Sequence, residues 1–153
     1  MKLKNKPGGL VKIVVYALLL LVAGLAAFQG VERDNSPVVA SHASGVETIE
    51  QAYQRRQSKV WVEVAGDVVR LLPDDNDGSR HQRFILKIAS GRTLLVAHNI
   101  DLAPRVPLSI SDVLNLRGRY EWNEKGGVLH WTHHDPNREI AGGWIEYQSK
   151  RYQ

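Results

Sequence analysis

The chain contains no cysteine, and its surplus of positive charge is confined to one end. The absence of cysteine excludes disulfide bonds, thiol nucleophiles and thiolate metal ligands, and it is compatible with an oxidising compartment. The 153 residues carry a formal charge of +4, from 20 Lys and Arg against 16 Asp and Glu. Lys2, Lys4, Lys6 and Lys12 account for this surplus, so the remainder of the chain is neutral. General nucleic-acid binding, which needs an accumulated positive field, is therefore not expected.

The chain also lacks the motifs that identify common catalytic sites. It has no Gly-rich phosphate loop, no Ser-His-Asp order and no paired metal-ligand motif such as H-E-x-x-H. At 153 residues it has room for one modest domain. The sequence leaves the question of an enzyme open, and a non-catalytic function is favoured.

The lysine-rich start precedes an apolar run from Ile13 to Phe28. A basic segment followed by an apolar one is typical of an export signal. The run has 16 residues, fewer than the roughly 17–25 of a spanning helix, but two preceding apolar residues extend it. We therefore expect residues 1–28 to be an uncleaved signal anchor, crossing the bacterial inner membrane once through residues 10–28, with a periplasmic C-terminal domain. A cleaved signal peptide, releasing a secreted or periplasmic protein, is the alternative.

The remainder of the chain divides into a linker and one domain. Residues 29–45 are small and polar, which predicts a linker, and residues 46–153 form the domain. Ser44 and Glu47 have capping-box spacing, and apolar residues then recur at helical intervals. We expect a short helix at the start of the domain.

The rest of the domain is predicted to be mainly β. Alternating apolar residues between turn residues predict strands at about 60–72, 81–88, 93–100, 113–122, 128–133 and 143–148. The first strand is long and interrupted at Gly66, where a bulge or bend is expected. A connector at 101–112 separates two hairpins. This order predicts a small OB-fold-like closed β-barrel of five to six strands, with a β-sandwich as the alternative.

The predicted register of the first hairpin places several polar side chains on one face. A two-residue turn at 90–91 is expected to pair Phe84 with Ala97 on the core face. The opposite face then carries His81, Arg83 and His98. In OB-folds, the outer face of the second and third strands is the usual ligand surface.

The second hairpin is predicted in the same way. A turn at 125–126 is expected to pair Trp131 with Tyr120 in the core and to place His130 opposite Glu121 on the other face. Because side chains alternate along a strand, a slip of one residue would exchange the two faces.

Three of the six histidines lie within the segment His130-Trp131-Thr132-His133-His134-Asp135-Pro136. Imidazole is the commonest metal ligand and changes its charge near neutral pH. Residues i and i+4 of a strand are roughly 13 Å apart, so His130 and His134 cannot bind one ion in an extended chain. We expect the first hairpin to complete a ligand-binding face with this segment, formed by His81, Arg83, His98, His130, His133, His134 and Asp135.

Two other interpretations of these side chains remain open. Three N/O ligands with an open position form a catalytic zinc site, so His98, His133 and Asp135 are candidate ligands for a divalent metal such as zinc. The chain would then be a metal-dependent hydrolase, acting on phosphodiesters as a nuclease does. Alternatively, the histidines are structural and pair with Glu121 or Asp135 or pack against Trp131. A structural role is favoured over metal binding.

Several motifs of the domain together resemble one known family, the bacterial family 3465 of the domains of unknown function. The motifs are Leu71-Leu72-Pro73-Asp74-Asp75, Gly78-Ser79-Arg80-His81-Gln82-Arg83-Phe84, Ala97-His98-Asn99-Ile100-Asp101-Leu102-Ala103, the histidine segment 130–136 and Gly143-Trp144-Ile145. The resemblance covers about residues 46–153. It implies a small exported or membrane-tethered domain with no established activity.

Taken together, these features favour a non-catalytic, membrane-tethered periplasmic binding module with a histidine-rich face for a small or extended polar ligand. The alternatives are the metal-dependent hydrolase and a structural envelope protein.

Overall fold

The structure is a computed structural model that describes residues 37–153. One helix, α1 (Pro37–Gln54), precedes seven strands of a single sheet. The strands are β1 (Val60–Asp75), β2 (His81–Ile88), β3 (Thr93–Asn99), β4 (Val113–Glu121), β5 (Val128–His130), β6 (Trp144–Tyr147) and β7 (Lys150–Tyr152). The prediction of a mainly β domain is confirmed, and β7 is a strand that the sequence did not predict.

Five of the strands form a closed ring of hydrogen-bonded pairs. β1 pairs with β2, β2 with β3, β3 with β5, β5 with β4, and β4 pairs back to β1. The β3–β5 pair is parallel and the other four are antiparallel. β6 and β7 continue the sheet beyond β4. Alternate residues of the ring strands are buried, and they form one apolar core that includes Val64, Phe84, Leu86, Val96, Leu116, Tyr120 and Leu129.

β1 is long enough to pair with both of its neighbours in the ring. Its first half pairs with β4 and its second half with β2, and Gly66 is opposite Leu114 on one side and Ile88 on the other. The register of the β1–β2 pair shifts between Val68 and Arg70. The irregularity that the sequence predicted at Gly66 therefore lies three residues later, at Val69.

The helix is longer than the sequence predicted. It begins at Pro37 rather than near Ser44, so residues 37–45 of the predicted linker are helical. Ile49 and Ala52 are buried on its inner side, within the core of the sheet. Complete burial of a side chain such as Ile49 stabilises the fold by about 1.5–3 kcal/mol, which explains why the amphipathic half of α1 docks there.

The predicted membrane segment cannot be compared with the fold. Residues 1–28, predicted as a signal anchor, and the first part of the linker lie outside the described residues. Across residues 37–153, no helix combines the length and the apolar composition needed to cross a membrane.

The first hairpin has a different turn from the predicted one. Ile88 donates its N–H to the carbonyl oxygen of Arg92 at 3.0 Å, so three residues form the loop instead of two. The last of them, Gly91, has a φ of 86°, which glycine adopts without steric cost. A three-residue loop that ends in such a glycine is a common hairpin connection.

This turn shifts the β2–β3 register by one residue. Phe84 lies opposite Val96 rather than Ala97, and Gln82 lies opposite His98. The shift transfers every β3 side chain to the other face. The predicted common face of His81, Arg83 and His98 is therefore wrong, because His98 points into the core and is fully buried.

The second hairpin keeps its predicted faces with a different pairing. Tyr120 lies opposite Leu129, two residues from the predicted register, so the inner and outer faces are preserved. His130 is opposite Arg119, and its side chain still contacts Glu121, with 3.2 Å between Nε2 and Oε1. Trp131 does not pair with Tyr120 in the core, because β5 ends at His130.

Candidate functional site

A cleft lined by three imidazoles lies where β2 begins and where β3 and β5 end. Its volume is about 360 Å³. The imidazoles belong to His81 at the start of β2, His130 at the end of β5 and His133 in the segment that follows. The other residues of the wall are Ser79, Ala97, Asn99, Leu102, Trp131, Asp135, Pro136 and Asn137.

The cleft depends on a sharp change of direction at Trp131. Trp131 has a φ of 57°, an uncommon conformation for a bulky side chain that costs of order 1–3 kcal/mol. Its indole lines the cleft and stacks on His133, with 5.5 Å between ring centroids. The Arg119 guanidinium carbon lies 5.1 Å from the indole centroid. Thr132, the next residue, is completely buried.

The segment after Trp131 is held against the sheet by a close approach of two backbones. Gly143 donates its N–H to the carbonyl oxygen of His133 at 2.8 Å. A Cβ atom at position 143 would collide with the carbonyl oxygens of Trp131 and Arg117. Only glycine therefore fits beside this segment, and the fit fixes His133 relative to β4 and β6.

His98 is buried behind the cleft with both ring nitrogens engaged. Its Nε2–H donates to the carbonyl oxygen of Pro104 at 3.1 Å. Its Nδ1 is 2.8 Å from the Thr132 hydroxyl, which donates to it in the neutral imidazole. Burial lowers the pKa of His98 to about 4, so the ring is neutral at pH 7. His98 has no free nitrogen for a ligand.

His81 and His133 use only one ring nitrogen each. The Nδ1–H of His133 donates to the His134 carbonyl oxygen, and that of His81 donates to the Ser79 carbonyl oxygen, both at 2.7 Å. A carbonyl oxygen only accepts, so Nδ1 carries the proton and Nε2 has the lone pair in the neutral ring. Burial lowers the pKa of His133, which favours that neutral form.

His130 has the complementary tautomer. Its Nε2 is 3.2 Å from the carboxylate of Glu121, to which it donates, so Nδ1 has the lone pair when the ring is neutral. Burial lowers the pKa of His130 although the hydrogen bond to Glu121 opposes this shift. Each of the three cleft imidazoles thus has one nitrogen fixed by a protein oxygen, and within residues 37–153 its other nitrogen makes no hydrogen bond.

Asp135 is buried, but its carboxylate organises the turn that closes the cleft. It accepts the backbone N–H groups of Asn137 at 3.2 Å, Glu139 at 2.8 Å and Ile140 at 3.1 Å. Burial alone would raise the pKa of Asp135, but these hydrogen bonds outweigh burial and the pKa is lowered. The carboxylate of Asp135 is therefore already engaged by backbone N–H groups of the residues that follow it.

The two remaining predicted ligand residues lie outside this cleft. Arg83 donates from Nε to the Pro73 carbonyl oxygen at 3.0 Å and forms an ion pair with Asp75. It lines a separate depression formed with the 105–108 connector. His134 is exposed and also lines a different depression. The structure therefore brings together His81, His130, His133 and Asp135, and separates them from His98, Arg83 and His134.

The predicted metal ligands do not form an assembled site. Among the side chains of residues 37–153, no three of His, Asp and Glu come close enough to hold a metal ion. Both nitrogens of His98 are engaged, and Asp135 accepts three backbone N–H groups. The trio of His98, His133 and Asp135 would have to break these hydrogen bonds to bind a cation.

Sequence reasoning missed Asn99 and assigned Trp131 to the core. Asn99 lies opposite His81 in the observed register, and its Oδ1 accepts the backbone N–H of Asp101 at 2.9 Å. This leaves its amide N–H₂ beside the cleft. The signal that could have found Asn99 was Gly91, because a three-residue loop ending there gives the observed register.

Comparison with models of protein families assigns the chain to a family. The model of DUF3465, described as a protein of unknown function, matches residues 34–153. The chain belongs to this family. The match confirms the resemblance seen in the motifs and includes every residue that lines the cleft. A search of curated proteins found no match.

Proposed function

We propose that this DUF3465 protein is a non-catalytic binding module, anchored in the inner membrane, whose periplasmic domain binds a polar ligand in the histidine cleft. One observation carries the proposal. His81, His130 and His133 line one cleft, each has a tautomer fixed by a protein oxygen, and each keeps a second ring nitrogen that makes no hydrogen bond within residues 37–153. Among the side chains of residues 37–153, the one buried N or O atom without a partner is Trp122 Nε1, so the unused imidazole nitrogens are open to solvent and accessible to a ligand.

The strand order supports an OB-fold-like closed barrel as the framework of this module. The ring runs β1-β2-β3-β5-β4 and returns to β1, with strand one shared between β2 and β4. OB-folds bind ligands on the face of strands two and three and on the loop between strands one and two. The cleft takes His81 from β2, Ala97 and Asn99 from β3 and Ser79 from that loop.

The alternatives receive less support from the same contacts. A metal-dependent hydrolase needs a set of convergent ligands, and His98 and Asp135 are committed elsewhere. A purely structural protein explains the Glu121 contact of His130 and the Trp131 contact of His133. It assigns the solvent-accessible second nitrogen of each cleft imidazole no partner other than water.

Binding is tested with the full chain in detergent micelles. We expect some members of a library of polar metabolites to shift the amide NMR signals of the cleft residues. His81→Ala and His133→Ala should each weaken the binding that causes these shifts about tenfold, whereas His42→Ala, on α1, should preserve it. If no compound shifts the cleft signals and the alanine variants change only stability, the structural alternative holds.

The metal alternative is tested by elemental analysis of the same preparations. A binding module of the proposed kind is expected to retain its ligand shifts after chelator treatment. Stoichiometric metal that disappears in His133→Ala would contradict the proposal and favour the hydrolase.

The membrane location is tested separately with a reporter fused to the C-terminus that is active only in the periplasm. We expect activity, and loss of activity when residues 10–28 are deleted. A silent reporter on the full chain would contradict the proposed location without affecting the cleft.

A further inference from the structure

The chemistry of the cleft narrows the class of ligand, on the basis of the binding function proposed above. Three of its groups are hydrogen-bond acceptors in the neutral state: Nε2 of His81, Nε2 of His133 and Nδ1 of His130. In each ring the other nitrogen is engaged with a protein oxygen at 2.7–3.2 Å, so the tautomer cannot change without loss of that hydrogen bond. The ligand must therefore offer several O–H or N–H donors.

The cleft also contains donors placed beside these acceptors. The Asn99 side chain accepts the Asp101 N–H through Oδ1, which leaves its N–H₂ group as a donor. Ser79 lines the same wall with a hydroxyl that both donates and accepts. Neighbouring donors and acceptors match hydroxyl groups, which do both, better than they match an ammonium group, which only donates.

The charges around the cleft do not favour an anionic ligand. Among the described residues that line the wall there is neither Lys nor Arg, and the only carboxylate is that of Asp135. Arg119, which contacts Trp131, pairs with Glu121 at 3.1 Å. Arg80, next to Ser79, pairs with Asp101 at 2.7 Å. A phosphate or carboxylate would meet a buried aspartate without a cation in the wall to balance its charge.

The rest of the wall is apolar. The indole of Trp131 and the side chains of Leu102, Pro136 and Ala97 share the cleft with the polar groups. An apolar surface with a few placed polar groups is usual for sites of small ligands, which have volumes of about 300–1,000 Å³. At about 360 Å³ this cleft suits one or two sugar rings of a larger molecule.

We infer that the histidine cleft binds a neutral saccharide, whose hydroxyl groups donate to the free nitrogens of His81, His130 and His133 while its C–H groups contact the apolar side chains of the wall. Asn99 donates to a ring or hydroxyl oxygen of the same sugar.

The test uses the full chain in detergent micelles and a panel of neutral glycosides. The probes are the methyl glycosides of glucose, galactose, mannose and N-acetylglucosamine, with the β-linked disaccharide of the last. We expect at least one probe to shift the amide signals of the cleft. Loss of one neutral hydrogen bond should weaken its binding about tenfold in His133→Ala. His133→Gln should recover part of the affinity, because its amide oxygen can still accept a hydroxyl, and His42→Ala should change it less than about twofold.

The outcomes separate the ligand class from the proposed function. If inorganic phosphate or spermidine shifts the cleft signals and no glycoside does, the saccharide is wrong and a binding module remains. If zinc alone shifts them, the metal alternative replaces both the saccharide and the binding module. If a glycoside binds equally well to His81→Ala, His133→Ala and the unchanged chain, the site lies elsewhere and the inference is wrong. If neither the glycosides nor phosphate, spermidine or zinc shift the cleft signals, both the inference and the proposed function are contradicted.

Discussion

His98 and His133 are both buried histidines at the same end of the ring, yet they have different relations to the rest of the molecule. His98 is fully buried and gives both nitrogens to the protein, to Thr132 and Pro104. His133 is 6% exposed and gives only Nδ1, to a neighbouring carbonyl oxygen. Burial alone therefore does not distinguish a structural histidine from one available to a ligand. The distinction lies in whether the second ring nitrogen already has a hydrogen-bond partner in the protein.

The connection between the two residues is Thr132. The positive φ of Trp131 turns the chain so that the Thr132 hydroxyl reaches His98, and the next residue lines the cleft. His98 therefore supports the floor of the cleft without being part of its wall. Substitutions at the two histidines and at their neighbours test whether these roles can be separated.

The largest expected effect is on stability, from His98→Ala. This change leaves the Pro104 carbonyl and the Thr132 hydroxyl without their partner and opens a cavity, so we expect a loss of about 3–4 kcal/mol in the free energy of unfolding. The matched variant His133→Ala should cost less, about 2 kcal/mol, since it breaks one hydrogen bond and the stacking contact with Trp131 but leaves no second side chain without its partner. Urea unfolding measures both values, and equal losses would remove the distinction between the two histidines.

The second prediction concerns pH. The folded pKa of His98 is about 4 against about 6.5 in the unfolded chain, so its contribution to stability is complete above pH 6.5. As the pH falls from about 6.5 to 4, the unfolded chain binds a proton that the fold does not, and on the order of 3 kcal/mol is lost. The lowered pKa values of His130 and His133 act in the same direction.

The control for this prediction is His98→Gln, which removes the titrating group. Unfolding free energies between pH 7 and 5 should fall less steeply in His98→Gln than in the unchanged chain. Identical slopes in the two proteins would show that burial does not lower the pKa of His98.

A smaller and local effect is expected from Asp135→Ala. This change removes the acceptor of three backbone N–H groups in the turn that closes the cleft. Hydrogen exchange of the Asn137, Glu139 and Ile140 amides should become faster, while exchange in β3 around His98 stays unchanged. Faster exchange in both regions would mean that the cleft wall and its floor form one unit.

The smallest effect is expected from His134→Ala. The side chain is exposed and outside the cleft, so both stability, within about 0.5 kcal/mol, and ligand affinity should be unchanged. This variant also separates His134 from His133, its neighbour in the histidine segment 130–136. An affinity as low as that of His133→Ala would show that the segment binds as a whole.

The fold was predictable to a large extent because alternation and turn residues are local signals. All six predicted strands exist, and the helical periodicity after Ser44 falls within α1, but the predicted cap at Ser44 is wrong because that residue lies inside the helix. The register of β2–β3 was not predictable by the same means, since a Ser-Gly pair is compatible with a turn of two residues or three. This one-residue ambiguity determined whether His98 faced a ligand or the core.

The candidate site was predictable only in part. The segment 130–136 supplies two imidazoles and Asp135 to the cleft, and His81 comes from the other hairpin as expected. The positive φ of Trp131 could not be read from the sequence, because it results from packing of the segment against Gly143 and β4. The prediction that Trp131 lies in the core assumed that side chains continue to alternate beyond His130, where the strand in fact ends.

The tautomers of the histidines decide whether the cleft imidazoles are available to a ligand. Long-range ¹H–¹⁵N NMR spectra of the full chain in micelles, at a pH where the rings are neutral, report which nitrogen of each imidazole carries the proton. We predict the Nδ1–H form for His81 and His133, which is the less common tautomer in free histidine, and the Nε2–H form for His98 and His130. Addition of a ligand should then shift the unprotonated nitrogens of the three cleft residues and leave those of His98 unchanged. An Nε2–H form at His133, or a ligand shift at His98, would contradict the division between a structural and a ligand-binding histidine.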